Sequence, residues 1–284
     1  MSLKRLLGTL LFLIFLSTTS TKSQIVVPND EKDYAFNSDS VRAEFDKGPY
    51  FGLYKDNYFI FGTALGEKST KMNTNVKFQI SISQKLTKSK LPWGTYLYLF
   101  YTQKATWNVL QESMPFYDLN FNPGIGLSKP LFVGDKFIGK ASFIIEHESN
   151  GKDSIWSRSW NRIAFAANIV LDPNIMVFGK FIIPIVDGEN NKDLMKYTGY
   201  FQGGMQLISN DKKFFGSVML TKRGNWKLDF NTVVELGLRL GRNSNEYLFV
   251  QYYNGYCENL LDYNKFASEL RVGIVIRPKY FSDY

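Results

Sequence analysis

The chain has 284 residues, a formal net charge of +8, 44% hydrophobic residues and 16% aromatics, with a single histidine and a single cysteine. The lone Cys257 excludes an intramolecular disulfide and a cysteine-based zinc site, and no apolar run beyond the N-terminus is long enough for a membrane-spanning helix. The basic excess is too modest to argue for nucleic acid and suits a surface facing anionic lipid head groups.

The chain opens with Lys4 and Arg5, an apolar run from Leu6 to Leu16, then small and polar residues. This is the pattern of a secretory signal peptide over 1–23, cut after Ser23, which removes Lys4, Arg5 and Lys22. Residues 24–48 are polar and irregular and read as an N-terminal periplasmic arm. From 49 to 284 the character changes. Twelve segments of roughly ten residues show period-2 alternation, near 50–63, 75–86, 94–104, 121–132, 136–149, 159–172, 175–186, 196–209, 213–221, 227–242, 246–255 and 266–277.

The connections alternate in length. GDK at 134–136, DPN at 172–174 and NDK at 210–212 are tight turns, whereas 105–120, 150–158 and 187–195 are longer loops. Short turns on one rim and long loops on the other predict an all-β, twelve-stranded antiparallel transmembrane β-barrel, the short turns periplasmic. A soluble β-sandwich also alternates, but twelve such segments with abundant Tyr and Phe near their ends favour the barrel, which leaves no open edge for a membrane to punish. The last segment alternates Leu270, Val272, Ile274 and Ile276 against Glu269, Arg271 and Gly273, and the chain ends on Tyr284, an aromatic finish that suits barrel assembly.

The only histidine lies in HESNGKDSIWSRSWNR, residues 147–162. Strand side chains alternate between faces, so Phe143, Ile145, His147 and Ser149 share one face, and Ser142, Ile144, Glu146 and Glu148 the other. A carboxylate is costly against lipid, so the Glu146 and Glu148 face points inward and His147 and Ser149 point outward. In the next strand Asn161 shares a face with Ile163, Phe165 and Ile169, again outward. Imidazole is the base suited to neutral pH, a serine hydroxyl needs one to become a nucleophile, and residues two apart on a strand are only roughly 6.5–7 Å apart. Ser149, His147 and Asn161 are therefore the candidate nucleophile, base and orienting group. The competing reading is a histidine that simply hydrogen-bonds at the membrane interface.

The 147–162 segment resembles the signature region of the outer membrane phospholipase A family, in which a His-x-Ser-Asn-Gly segment precedes Ser-Arg-Ser-Trp-Asn-Arg. Further matching segments are YTQKATW at 101–107, MPFYDLNFNP at 114–123, KYTGYF at 196–201 and GYCENLLDYN at 255–264. The resemblance implies a bacterial outer-membrane enzyme whose site faces the outer leaflet. It implies Ca2+-dependent hydrolysis of acyl esters of phospholipids and lysophospholipids at either glycerol position (A1/A2), with membrane phospholipids as substrate and a homodimer as the active form. The calcium ligands it implies fall on the Lys152 carbonyl, Ser157, Asn190, and Ser113 or Met114. Met114 stands where the family places a serine, and thioether sulfur is a poor ligand for a hard cation. Gln103, alternating with Leu97, Leu99 and Tyr101, is a candidate for a lipid-facing dimer contact. Two other readings stay open: a non-catalytic porin or structural barrel, and an acyltransferase using the same serine.

Overall fold

Burial alternates along nearly every strand of the computed structural model, which describes residues 38–47, 50–186, 188–242, 244–278 and 282. The strands are β1 (Phe51–Leu53), β2 (Asn57–Ala64), β3 (Thr74–Lys85), β4 (Tyr96–Trp107), β5 (Phe116–Val133), β6 (Lys136–Ser149), β7 (Ser159–Asp172), β8 (Ile175–Ile185), β9 (Phe201–Ile208), β10 (Phe214–Lys222), β11 (Phe230–Arg239), β12 (Glu246–Gly255) and β13 (Ala267–Ile276). Each pairs antiparallel with its neighbour in sequence from β2 onward, and β13 returns to β2 through Ile276↔Asn57 to Glu269↔Ala64. β1 pairs with β3 beyond the end of β2, so β1 and β2 share one position and the barrel has twelve. Among the described residues, the ladder from β2 to β13 closes on itself and so leaves no open edge within that ring, as a membrane demands.

Large apolar side chains cover the outside: Phe59, Leu99, Ile145, Phe165, Phe181, Leu236 and Val272 are all exposed. The interior is polar. Glu146, Glu148 and Arg162 are 4%, 9% and 7% exposed, so they point into the lumen. There Arg162 Nη1 lies 2.5 Å from Glu148 and Arg162 Nε 2.7 Å from Glu146, which Lys180 also reaches at 2.7 Å. A second group joins Lys77 and Arg271 to Glu258, at 2.9 and 2.7 Å. Buried charges persist when paired in this way. Between these groups lies a cavity of about 230 Å³, lined by Lys55, Lys104, Glu148, Arg162, Glu235 and Gln251 among others.

Several local expectations give way. Ser38–Lys47, within the stretch read as irregular, forms helix α1. Its Val41 and Phe45, one helical turn apart, pack on Phe132, Phe137, Val170 and Met176 at the short-turn rim, and Lys85 Nζ donates to the Phe45 carbonyl at 2.9 Å near the helix C-terminus. Residues 1–37 lie outside the described residues, the signal peptide among them. β5 begins at Phe116 rather than 121, because Asp118 and Asn120 turn into the lumen while Leu119 stays outside. β9 begins at Phe201 rather than 196, since Met195–Thr198 forms a helical turn, α2. Gly199 ends that turn at φ +85°, where a Cβ would sit 1.8 Å from the Lys222 carbonyl oxygen. β11 is shorter than 227–242, leaving Lys227 and Leu228 on a loop. β13 stops at Ile276; Arg277 then turns inward to Asp56 at 3.0 Å and the Ser282 hydroxyl accepts from Asp56 N at 3.0 Å. Tyr284 lies outside the described residues, so no terminal aromatic is placed on that strand. Cys257, in the β12–β13 loop, is half-buried and donates from Sγ to the Tyr263 carbonyl at 3.4 Å; burial pushes its thiol up to about 12.

Candidate active site

The β6–β7 pairing runs from Gly139↔Ile169 to Ser149↔Ser159 and sets His147 directly opposite Asn161. Side chains of opposed residues project to the same face of a sheet with Cβ atoms roughly 5 Å apart, close enough for an imidazole and an amide to meet. His147 Nδ1 is 2.8 Å from Asn161 Oδ1. An amide oxygen only accepts, so Nδ1 carries the ring proton, which leaves the Nε2 lone pair as the basic position. Ser149 follows two residues later on the same outward face, half-buried like His147. Around them stand exposed Ile145, Ile183 and Ile185, with Ile185 paired to Asn161 on β8. A serine and a histidine hydrogen-bonded to an asparagine thus lie together on an apolar, lipid-facing surface.

Above Ser149 the chain enters the β6–β7 loop, whose shape comes from Asn150. This residue is 3% exposed; its Nδ2 donates to the Trp156 carbonyl at 2.9 Å, and its Oδ1 accepts from Arg158 N at 2.9 Å. Gly151 follows at φ +63°, and a Cβ there would come 2.9 Å from the Phe121 ring, so only glycine lets the loop fold over that outward aromatic. Asn191, 1% exposed, does similar work beyond the end of β8. Its Nδ2 donates to the Ser159 carbonyl at 2.8 Å and its Oδ1 accepts from Ser159 N at 3.3 Å, so it stands in for a strand neighbour. Asn150 falls within the His-x-Ser-Asn-Gly segment and forms a turn dipeptide with Gly151, but the backbone roles of Asn150 and Asn191 are not written in the sequence.

The residues implied as calcium ligands fall on two groups of loops. Lys152 and Ser157 share the β6–β7 loop, and Asn190 reaches it from the β8–β9 loop, its Nδ2 donating to the Ser154 carbonyl at 2.8 Å. Lys152 Nζ donates to the Tyr117 carbonyl at 3.1 Å, and the Ser157 carbonyl accepts from Arg158 Nη1 at 2.8 Å, which leaves the Lys152 carbonyl and Ser157 hydroxyl as the oxygens in question. Ser113 and Met114 lie on the β4–β5 loop at φ +64° and +44°, and Met114 offers its carbonyl to Trp107 Nε1 at 2.8 Å. No group of three His, Cys, Asp or Glu side chains suited to a metal occurs among the described residues; the ligands implied here are carbonyl, hydroxyl and amide oxygens, which are hard donors. Gln103 sits on the outward row of β4 and its Oε1 accepts from the Tyr101 hydroxyl at 3.2 Å.

The phospholipase A1 family model matches residues 51–276, the whole barrel from β1 to the end of β13. Phospholipase A1 of Proteus vulgaris is 30% identical over 80% of this chain and 81% of its own length, and that of Escherichia coli K12 is 31% identical over 72% and 70%. Among solved structures, the calcium-bound dimer of Salmonella typhi outer membrane phospholipase superposes with a TM-score of 0.70 at 26% identity, covering 80% of this chain and 92% of that one. A match that spans the entire barrel, with relatives alike in sequence and architecture, establishes that this chain belongs to the phospholipase A1 family and is an outer-membrane β-barrel phospholipase.

Proposed function

We propose that the chain hydrolyses acyl esters of glycerophospholipids at both glycerol positions, and of lysophospholipids, as a calcium-dependent homodimer whose site faces the outer leaflet. The observation that carries this reading is the 2.8 Å contact between His147 Nδ1 and Asn161 Oδ1, with Ser149 on the same lipid-facing surface. His147 Nε2 takes the Ser149 proton as Oγ attacks the ester carbonyl, and the imidazolium returns that proton to the departing glycerol oxygen. Water, deprotonated by the same nitrogen, then attacks the acyl-Ser149 carbonyl; the free fatty acid departs and Oγ recovers its proton. Asn161 holds the ring orientation and tautomer but, being neutral, stabilises the imidazolium less than an aspartate does.

The Lys152 carbonyl, the Ser157 hydroxyl and Asn190 Oδ1 are hard, neutral oxygens of the kind calcium accepts, and they lie on loops adjoining Ser149. A bound calcium supplies positive charge that polarises the ester carbonyl and stabilises the oxyanion. Ser113 fits the same donor chemistry, and the Met114 sulfur does not. Three neutral oxygens form a sparse set for this ion, which accords with a site completed by water or a second copy. The relative from Salmonella typhi, a dimer with bound calcium, supports both parts of the reading.

Fatty-acid release from phospholipid–detergent micelles by the refolded protein, with calcium and with chelator, tests the proposal. Chelation is expected to lower the rate at least about 100-fold, the scale of losing one oxyanion-stabilising group, with recovery on adding calcium. An unchanged rate in chelator would remove calcium from the mechanism and leave the hydrolase reading to the serine alone.

A further inference from the structure

The ladder between β5 and β6 keeps one register on both sides of a gap. Phe121 pairs with Ser149 and Gly124 with Glu146, but the two intervening pairs are missing. In that register Pro123 opposes His147. Proline has no N–H, and both missing pairs are those that depend on a bond from the residue 123 nitrogen to the His147 carbonyl. The β4–β5 ladder, on the other side of Pro123, is intact through Tyr101↔Pro123. The orphaned acceptor is thus the main-chain carbonyl of the histidine itself.

It does not stay unpaired. Asn122 Nδ2 donates to the His147 carbonyl at 2.6 Å. Asn122 is 7% exposed and points into the lumen, where its Oδ1 accepts from Arg162 Nη2 at 3.3 Å. Arg162 holds Glu146 and Glu148, the residues on either side of His147, and is itself the strand neighbour of Asn161. We propose that Asn122 is a positioning residue: its side-chain amide replaces the main-chain donor removed at Pro123 and ties the His147 backbone to the Arg162 cluster. The outward-facing His147 is thereby held from the inside of the barrel. A ring must point its nitrogen at Ser149 Oγ within a narrow arc, and a small backbone displacement at its base is enough to spoil that aim.

This inference rests on the proposed role of His147. The measurement is fatty-acid release from micelles by Asn122→Ala, Asn122→Asp, Asn122→Ala with Pro123→Ala, and Ser149→Ala, each verified as folded by its heat-modifiable gel mobility. Asn122→Asp is isosteric and keeps an acceptor for Arg162 but, ionised, has no donor for the carbonyl, so it reports even where alanine disturbs folding. Both single variants at 122 are expected to lose about 10- to 100-fold in kcat, the scale of a misplaced catalytic group, with KM little changed. The double variant restores an N–H at position 123 and is expected to recover most of the loss, which a general weakening of the lumen would not allow. Wild-type kcat in Asn122→Asp, or a double variant no better than Asn122→Ala, overturns the inference while an inactive Ser149→Ala leaves the hydrolase reading in place. An active Ser149→Ala overturns both.

Discussion

Ser149→Ala is expected to lower phospholipid hydrolysis by about 10⁴- to 10⁶-fold, the loss seen when a serine nucleophile is removed from a His-assisted site. The barrel should be untouched. Ser149 ends β6 through its backbone pairing with Ser159 and Phe121, and its side chain stands on the outer surface, so alanine fits without a cavity or a buried orphan. Gel mobility and far-UV circular dichroism unchanged beside a lost activity would assign the effect to chemistry. Retention of about a tenth of the wild-type rate would mean that another group attacks the ester.

Arg162→Met should act in the opposite way, through stability. Arg162 is 7% exposed and reaches both Glu146 and Glu148, with its guanidinium 4.3 Å from the centre of the Trp160 ring. Removing it leaves Glu148 with the Trp160 indole donor and Glu146 with Lys180. Stranding a buried charge in this way costs about 3–5 kcal/mol, whereas the intact network is worth far less than the sum of its contacts. Urea unfolding in lipid vesicles, followed by tryptophan fluorescence, should show that loss, with Arg162→Lys intermediate because lysine keeps the charge but not the fork that spans two carboxylates. A change under about 1 kcal/mol would indicate that water in the lumen screens these carboxylates.

The barrel was legible because one alternation serves two solvents. In β6, Phe143 and Ile145 meet lipid while Glu146 and Glu148 meet the ion-paired lumen, so a single hydropathy pattern gives both strand and facing. It failed where another local preference won. Met195–Thr198 has the apolar content of a strand yet coils, because Gly199 supplies the positive φ that stops a helical turn. Asp118 and Asn120 look like loop residues, and only a polar lumen makes them strand residues. Ser38–Lys47 gains its helix from packing of Val41 and Phe45 on the barrel floor, a tertiary effect absent from local composition.

At the site the same contrast holds. The shared outward face of His147, Ser149 and Asn161 was readable because facing follows from alternation and the hairpin sets the register. Asn122, Asn150 and Asn191 were not, since each answers to a backbone group whose lack of a partner shows only in three dimensions. Pro123 was the available clue: a proline within a strand announces an acceptor on the adjacent strand that needs a donor from elsewhere.

If Ser149 is a nucleophile activated by His147, a serine-directed phosphonylating reagent captures it covalently. The folded protein would be treated with a fluorophosphonate reagent in micelles and its peptides analysed by mass spectrometry, alongside His147→Ala. An adduct on Ser149 is expected in the wild type, and its loss when the imidazole is removed. An unmodified Ser149 in protein that still releases fatty acid, or equal labelling without His147, would contradict that activation.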